Sequence, residues 1–337
     1  MRRALLLSLL AAALYLAWYA ETRLPARSAY DPPQRLIVPE GASAFNIGRQ
    51  LQAQRLVRHP ALFRALVLLR GDGARLRAGE YSLEGPLSLE QIADLLARGE
   101  VVRNEVTLPE GRSMDEMAEL LAIRGLAAEA FLAAGRDPGP VRDLDALATD
   151  LEGYLFPDTY DLPRGPDAAA VLALRMTQRF RDVISADLTR IAERGLTVRE
   201  VVTLASLVEL ETARGDERPR IAAVFLNRLR KGMPLQTDPT VIFALRKAGS
   251  WDGNIRKKDL EIESRYNTYR YRGLPPGPIG SPGRQAIRAV LDPAPVQDLY
   301  FVSRNDGTHQ FSQTLAEHER AVTQYQRRRS SRGDGGA

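Results

Sequence analysis

One helix near the middle of the chain constrains most of what can be built around it. Thr197 and Glu200 form a T-x-x-E capping box, so the helix is predicted to start at Val198. Gly215 is the expected stop, which leaves about four turns. At about 100° per residue, Val198, Val201, Val202, Leu204, Ala205 and Val208 share one arc, with Arg199, Thr203 and Ser206 opposite. Glu211 projects between Leu207 and Val208, and Glu209 projects beside Ala205 and Val202. Both carboxylates therefore fall where a core helix carries leucine or alanine.

A glutamate on a helix is ordinarily a solvated side chain or half of a surface ion pair. Two in an apolar sector ask for a second account. A carboxyl pressed against apolar neighbours holds its proton to higher pH, which is what a general acid needs. The projection alone does not choose between Glu209 and Glu211.

Composition narrows the chemistry. The chain has 337 residues, 44% of them hydrophobic, enough for an anchor and two or three globular units. It contains no cysteine, hence no disulfide framework and no thiolate chemistry. His59, His309 and His318 lack metal-ligand spacing, so neither metal nor cofactor is expected. The net charge is +5, nearly all of the positive charge is arginine, and part of the excess sits in the tail Arg327-Arg328-Arg329. No basic run is interleaved with aromatics, which argues against a nucleic-acid partner.

Residues 4–20 carry no charge and would span roughly 26 Å as a helix, enough for a hydrocarbon core. Arg2 and Arg3 precede this run, and Trp18 and Tyr19 close it as interfacial anchors. The alternative is a cleaved signal peptide, against which stands the bulky Trp18 three positions before a cut after Ala20. The expectation is an uncleaved single-pass anchor over residues 1–21 with a short cytoplasmic N-terminus and the remainder outside the cytoplasm. A proline-stiffened linker, 22–34, follows.

An internal repeat comes next. Ile37-Val38-Pro39-Glu40-Gly41-Ala42-Ser43 returns as Thr107-Leu108-Pro109-Glu110-Gly111-Arg112-Ser113, and the register continues through Ile47/Met117, Leu51/Leu121 and Leu56/Leu126. Each copy reads as a strand, a turn, a serine N-cap and an amphipathic helix. With a strand over 76–83 and a helix capped by Ser88, residues 35–104 form a β-α-(α)-β-α module. Its outline is similar to the LysM carbohydrate-binding fold; the other reading is an α+β spacer. The overall class is α+β: an anchor, this LysM-like module, and a mixed α/β catalytic domain over 105–325. Residues 326–337 are expected to be a disordered basic tail.

In the larger domain, 168–194 reads as a long helical run, Pro219 opens a helix that stops at Gly232, and Asp238 reads as the N-cap of a helix over 240–247. Residues 264–283 form a long loop of Tyr, Asn, Pro and Gly, suited either to stacking on sugars or to wrapping the core. Ser281-Pro282 starts a helix to Leu291, and 299–303 with 309–311 read as a hairpin turned by Asn305-Asp306-Gly307.

Several long stretches, ASLVELET, NRLRKGMPLQTDPTVIFAL, YNTYRYRGLPPGPIGSPG and YFVSRNDGTHQFSQTLAEH, occur in that order, preceded by EGYLFPDTY. Together they resemble the YceG-like family of endolytic murein transglycosylases over about residues 35–325. The resemblance implies a membrane-anchored enzyme that cuts nascent peptidoglycan strands between MurNAc and GlcNAc. The family's acid, the second glutamate of its A-S-I-V-E-x-E-T signature, corresponds to Glu211, and Glu209 to the preceding acidic position. Leu207 and Leu210 depart from the family's Ile and Lys without touching the carboxylate. Glycan strands are the implied ligand, peptidoglycan synthases are candidate protein partners, and no cofactor is called for.

The implied chemistry needs one carboxyl. Neutral Glu211 protonates the glycosidic oxygen, and its carboxylate then takes the proton of the C6 hydroxyl as that oxygen attacks C1, leaving a 1,6-anhydro end. Glu209 either tunes Glu211 as a like charge or pairs with an arginine. Gln236, Asp238, Tyr266, Asn267 and Tyr269 are the remaining candidates for holding acetamides and sugar faces. Two competing readings are a non-enzymatic glycan-binding protein built on the repeated modules and a hydrolase with Asp238 as second carboxylate.

Overall fold

The computed structural model describes residues 2–25, 33–162 and 165–327, with side chains from 7 to 326 within those ranges. The chain divides into two compact units, 1–104 and 105–337.

The first unit contains α1 (Arg2–Arg23), β1 (Gln34–Val38), α2 (Ala44–Ala53), α3 (Pro60–Arg70), β2 (Gly79–Leu83) and α4 (Leu89–Arg98). β1 and β2 pair antiparallel, with Leu36 opposite Tyr81. Their inward side chains, Leu36, Val38, Tyr81 and Leu83, close on Ile47 and Leu51 of α2, Phe63 of α3, and Ile92 and Leu96 of α4. The last turns of α1 dock on this module: Trp18 packs against its core, Glu21 pairs with Arg58, and Arg23 pairs with Glu90. Earlier in α1, Leu7, Leu9, Leu10, Leu14 and Leu16 are exposed. Among the described residues, no helix is long and apolar enough to cross a membrane. Most of the linker, 26–32, and the tail from 328 on lie outside the described residues.

The second unit contains β3 (Glu105–Thr107), α5 (Met114–Ile123), α6 (Ala128–Gly135), β4 (Thr159–Asp161), α7 (Ala168–Ser185), α8 (Leu188–Glu193), α9 (Val198–Glu211), α10 (Arg218–Arg230), α11 (Asp238–Lys247), α12 (Arg284–Leu291), β5 (Tyr300–Ser303), β6 (His309–Ser312) and α13 (Leu315–Val322). Its sheets are two antiparallel pairs, β3 with β4 and β5 with β6. The described part of the unit is therefore a mixed α+β fold of helices with short antiparallel ribbons. The 168–194 run breaks at Ala186-Asp187, and a π-helical turn over Thr323–Arg327 carries helical backbone into the first two residues of the expected tail.

The two copies of the repeat share their turn chemistry. Gly41 and Gly111 take φ of 72° and 78°, a left-handed conformation that favours glycine, and Ser43 and Ser113 cap α2 and α5. They differ in what the turn meets. In the second copy the Gly111 N–H donates to the Ser281 carbonyl at 2.8 Å, and the Ser281 N–H donates to the Arg112 carbonyl at 2.9 Å.

α9 is the core of this unit. Thr197 and Glu200 cap it reciprocally, as the motif predicts, and it stops at Glu211, four residues before Gly215, where Thr212 turns extended. Thr203 and Ser206, placed on the polar arc by the projection, are buried. The reason is the loop of 274–283, which crosses that face: the Ile279 N–H donates to Ser206 Oγ at 3.2 Å. Arg199, also on that arc, reaches the Pro276 carbonyl at 2.8 Å and Asp145 at 2.6 Å. Gly153, at φ 83°, packs against both the loop and α9: a Cβ there would approach Pro278 to 2.3 Å and Val202 to 3.1 Å. The helix is thus buried over 201–208 and opens at its ends, with Leu210 exposed and Glu211 half-buried at its exit.

Candidate active site

Glu211 is the last residue of α9 and lies on the wall of a cleft of about 350 Å³. The cleft is lined by Glu211, Arg228, Leu235, Gln236, Asp238 and Tyr269, and by Phe301, Val302, His318 and Val322 from the C-terminal hairpin and α13. Its lining mixes apolar side chains with converging polar groups, the composition of a ligand site.

Helix termination explains the placement of Glu211. Its side chain continues the α9 arc that buries Leu207 and Val208, yet no further turn covers it. Thr237 donates its hydroxyl to Glu211 Oε1. Thr237 is itself fixed by its N–H to Thr268 Oγ1 at 3.1 Å and by its carbonyl, which accepts the Thr240 hydroxyl at 2.7 Å. Burial pushes the Glu211 carboxyl up to about 6; the Thr237 hydrogen bond opposes this, the Asp238 charge adds to it, and His309 and Arg228 draw it down.

Asp238 does not cap its helix. The N-cap is Thr237, and Asp238 is the first residue of α11, with its carboxylate accepting the Tyr269 hydroxyl at 2.5 Å. Backbone geometry produces this: Gln236 takes φ 51°, a left-handed conformation uncommon outside glycine, which turns the chain into α11 and aims Thr237 at Glu211. That bond also raises the Tyr269 hydroxyl's pKa, after the larger effect of burial.

The structure separates the other candidates. Gln236, Asp238 and Tyr269 line the cleft with Glu211. Asn267 does not: it is 0% exposed, its amide donates to the carbonyls of Leu260 and Ile262 at 2.9 Å, and its oxygen accepts the Tyr269 N–H at 3.0 Å. All its hydrogen-bonding groups serve to shape the loop. Tyr266 packs on Phe243, ring centroids 4.9 Å apart, and is not among the residues lining the cleft. Asn and Tyr in a loop look alike in sequence whether they face outward or inward, because loop spacing carries no side-chain direction.

Glu209 also lies off the cleft. Its side chain, 4% exposed, pairs with Arg218 at 2.5 Å and accepts the Gly283 N–H at 2.9 Å. Burial pushes its pKa upward, opposed by the Gly283 bond and by Arg218. The like charge acting on Glu211 is instead Asp238.

Sequence reasoning missed Thr237, Arg228, Phe301 and His318. Arg228 lies on α10, 8% exposed, with its guanidinium turned to backbone carbonyls. His318 stacks on Tyr300 at 5.1 Å, and His309 bonds Glu217 through its N–H at 2.9 Å and its ring Nδ1 at 2.7 Å. The available signal was their place in two of the long motifs, Arg228 and Thr237 in NRLRKGMPLQTDPTVIFAL and Phe301 and His318 in YFVSRNDGTHQFSQTLAEH. Among the described residues no group of His, Asp and Glu is arranged to hold a metal ion.

A model of the YceG-like family matches residues 36–324, nearly the whole chain. The chain belongs to the YceG-like family. Within it, the chain is 32% identical over 308 residues to an endolytic murein transglycosylase of Bacillus subtilis, covering 86% of this chain and 83% of that one. It is 32% identical over 322 residues to the endolytic murein transglycosylase of Streptococcus pneumoniae strain D39, covering 86% of this chain and 57% of that one. A crystal structure of a yceG-like protein from Listeria monocytogenes superposes with a TM-score of 0.58 at 30% identity, covering 87% of this chain and all of that one. The YceG-like matches thus extend across both units.

Proposed function

We propose that this chain is a peptidoglycan lytic transglycosylase in which Glu211 serves as both acid and base. The observation that carries the reading is the Glu211 carboxyl, held by Thr237 in an open cleft and pushed up to about 6. A carboxyl of that pKa is populated in both protonation states near neutral pH, which a single group that first gives and then takes a proton requires. The names of its relatives supply the substrate class: murein, cut within the strand.

In the first half-reaction Glu211 protonates the oxygen leaving C1 of MurNAc. In the second its carboxylate removes the proton of the same sugar's C6 hydroxyl, and that oxygen bonds C1. One bond breaks, one forms, the proton returns to Glu211, and no water is consumed. Thr237 holds the carboxylate oriented between the two steps. Asp238 acts electrostatically, favouring the protonated acid at the start. Gln236 and the Tyr269 ring offer an amide and an aromatic face to the sugars.

Asp238 also lines the cleft, which keeps a hydrolytic reading in view. Analysis of the new ends decides between them: anhydro ends for transglycosylation, reducing ends for hydrolysis.

Residues 4–20 are read as the membrane anchor, on their lack of charge and on the flanking Arg2, Arg3, Trp18 and Tyr19. The module of 35–104 is read as LysM-like, on its β-α-α-β-α order. Membrane fractionation with N-terminal sequencing tests the anchor: intact protein starting at Met1 in the membrane fraction is expected, and a soluble form starting near Glu21 overturns it.

A further inference from the structure

Arg228 is the least expected group in the cleft. Its residue is 8% exposed, and its guanidinium sits 5.2 Å from the centroid of the Tyr300 ring. Nε donates to the Leu299 carbonyl at 2.7 Å, and Nη1 to the carbonyls of Leu235 at 2.7 Å and Pro234 at 3.3 Å. These bonds fix the fork in place. Among the described residues, Nη2 has no acceptor and no carboxylate lies at ion-pair distance from the guanidinium, although the side chain lines the cleft beside Glu211 and feels its charge.

Glu211 acts on this cation only through space, and a buried guanidinium with no carboxylate at ion-pair distance and a nitrogen left over suits a ligand acceptor. Asn227 ties α10 to the 296–298 stretch through the carbonyls of Val296 and Asp298, while Nε and Nη1 of Arg228 serve the backbone of Leu299, Pro234 and Leu235, which leaves Nη2 outside that structural work. The planar fork, held on two of its nitrogens, presents the third to an oxygen acceptor.

We propose that Arg228 is a substrate-binding residue whose Nη2 donates to a carbonyl oxygen of the muramoyl sugar. The proposal rests on the transglycosylase reading, which puts the muramoyl C1 beside Glu211. That sugar carries two substituents with a carbonyl oxygen, the 2-acetamido group and the ether-linked 3-O-lactyl group with its carboxyl. A guanidinium serves either one; bonded to the lactyl group it sets which sugar faces Glu211, because GlcNAc lacks that group, and bonded to the acetamide it sets only the position of that sugar.

The test uses the full chain with Glu211→Gln, which removes turnover, and titrates three probes by calorimetry. They are a GlcNAc–MurNAc tetrasaccharide with free lactyl carboxylates, the same compound with its lactyl groups amidated, and a GlcNAc tetramer. Adding Arg228→Lys keeps the positive charge but loses the fork, and is expected to weaken the muramoyl probes by roughly ten- to a hundredfold. Loss confined to the muramoyl probes assigns the lactyl group, and equal loss on the GlcNAc tetramer assigns the acetamide. Unchanged affinity for all three overturns the proposal. Should Arg228→Lys unfold, crystals of the Glu211→Gln protein soaked with the tetrasaccharide decide: a carbonyl oxygen of the sugar on Nη2 supports it, and a bound sugar that leaves Nη2 free overturns it. Failure of Glu211→Gln to bind any probe would sink the glycan reading as well, so the two failures are distinguishable.

Discussion

The Thr237 hydroxyl is bonded to Oε1 of Glu211, and the residue after Thr237 raises the pKa of the same carboxyl. One short turn therefore both holds the charged form of the acid and opposes it, and the two effects can be separated by substitution.

Asp238→Asn removes the like charge. The Glu211 pKa should fall below its present value of about 6, moving the alkaline limb of the kcat/KM profile to lower pH. A full pH–rate profile checks this, and an unmoved limb would mean that Asp238 has no electrostatic part.

Thr237→Val acts with the opposite sign. The lost hydrogen bond favoured the carboxylate, so the Glu211 pKa should rise and the alkaline limb should move to higher pH. A drop in kcat of roughly tenfold is expected as well, from the loss of one positioning bond.

Much of this arrangement was legible in the sequence, and the unread part has a physical cause. The capping box at Thr197 sets the phase of α9, which places both glutamates in its apolar sector from the sequence alone. Local rules of capping and turn chemistry also located β5, β6 and the second repeat. The role of Glu209 stayed open because Arg218 lies nine residues on, beyond a helix end, where no periodicity relates the two. Thr203 and Ser206 were misplaced because a projection sees one helix, while their burial comes from a loop more than seventy residues later. Gln236 to Asp238 form a turn whose one left-handed residue is not glycine, so the usual sequence marker was missing.

Glu209→Gln breaks a buried ion pair and leaves Arg218 with only Glu110, at 3.6 Å, as a carboxylate. A loss of stability on the order of 3 kcal/mol is expected from chemical denaturation. Specific activity of the folded fraction should stay within a few-fold of wild type, since Glu209 lies off the cleft. Loss of activity with stability unchanged would make Glu209 a participant in catalysis.

Glu152 gives a pH test away from the site. It is buried, accepts the Met114 N–H at 3.1 Å, and is pushed up to about 8 by desolvation. Its folded pKa exceeds the reference value of 4.5, so the folded state binds more protons between those values. Its stabilising contribution is present below about 4.5 and is lost as pH rises through about 8. Glu152→Gln keeps an acceptor for Met114 and should flatten the pH dependence of the melting temperature across that window. An unchanged slope would show that Glu152 is ionised in the fold.

The central claim is that one carboxyl, Glu211, performs both proton transfers and that water is not a reactant. The direct measurement is mass spectrometry of the ends made from uncrosslinked glycan in heavy-oxygen water, for wild type and Glu211→Gln. Wild type should give 1,6-anhydro ends with no heavy oxygen, and Glu211→Gln should be slower by at least about 10²-fold while still folded. Reducing ends carrying heavy oxygen, or near-wild-type turnover by Glu211→Gln, would contradict the account.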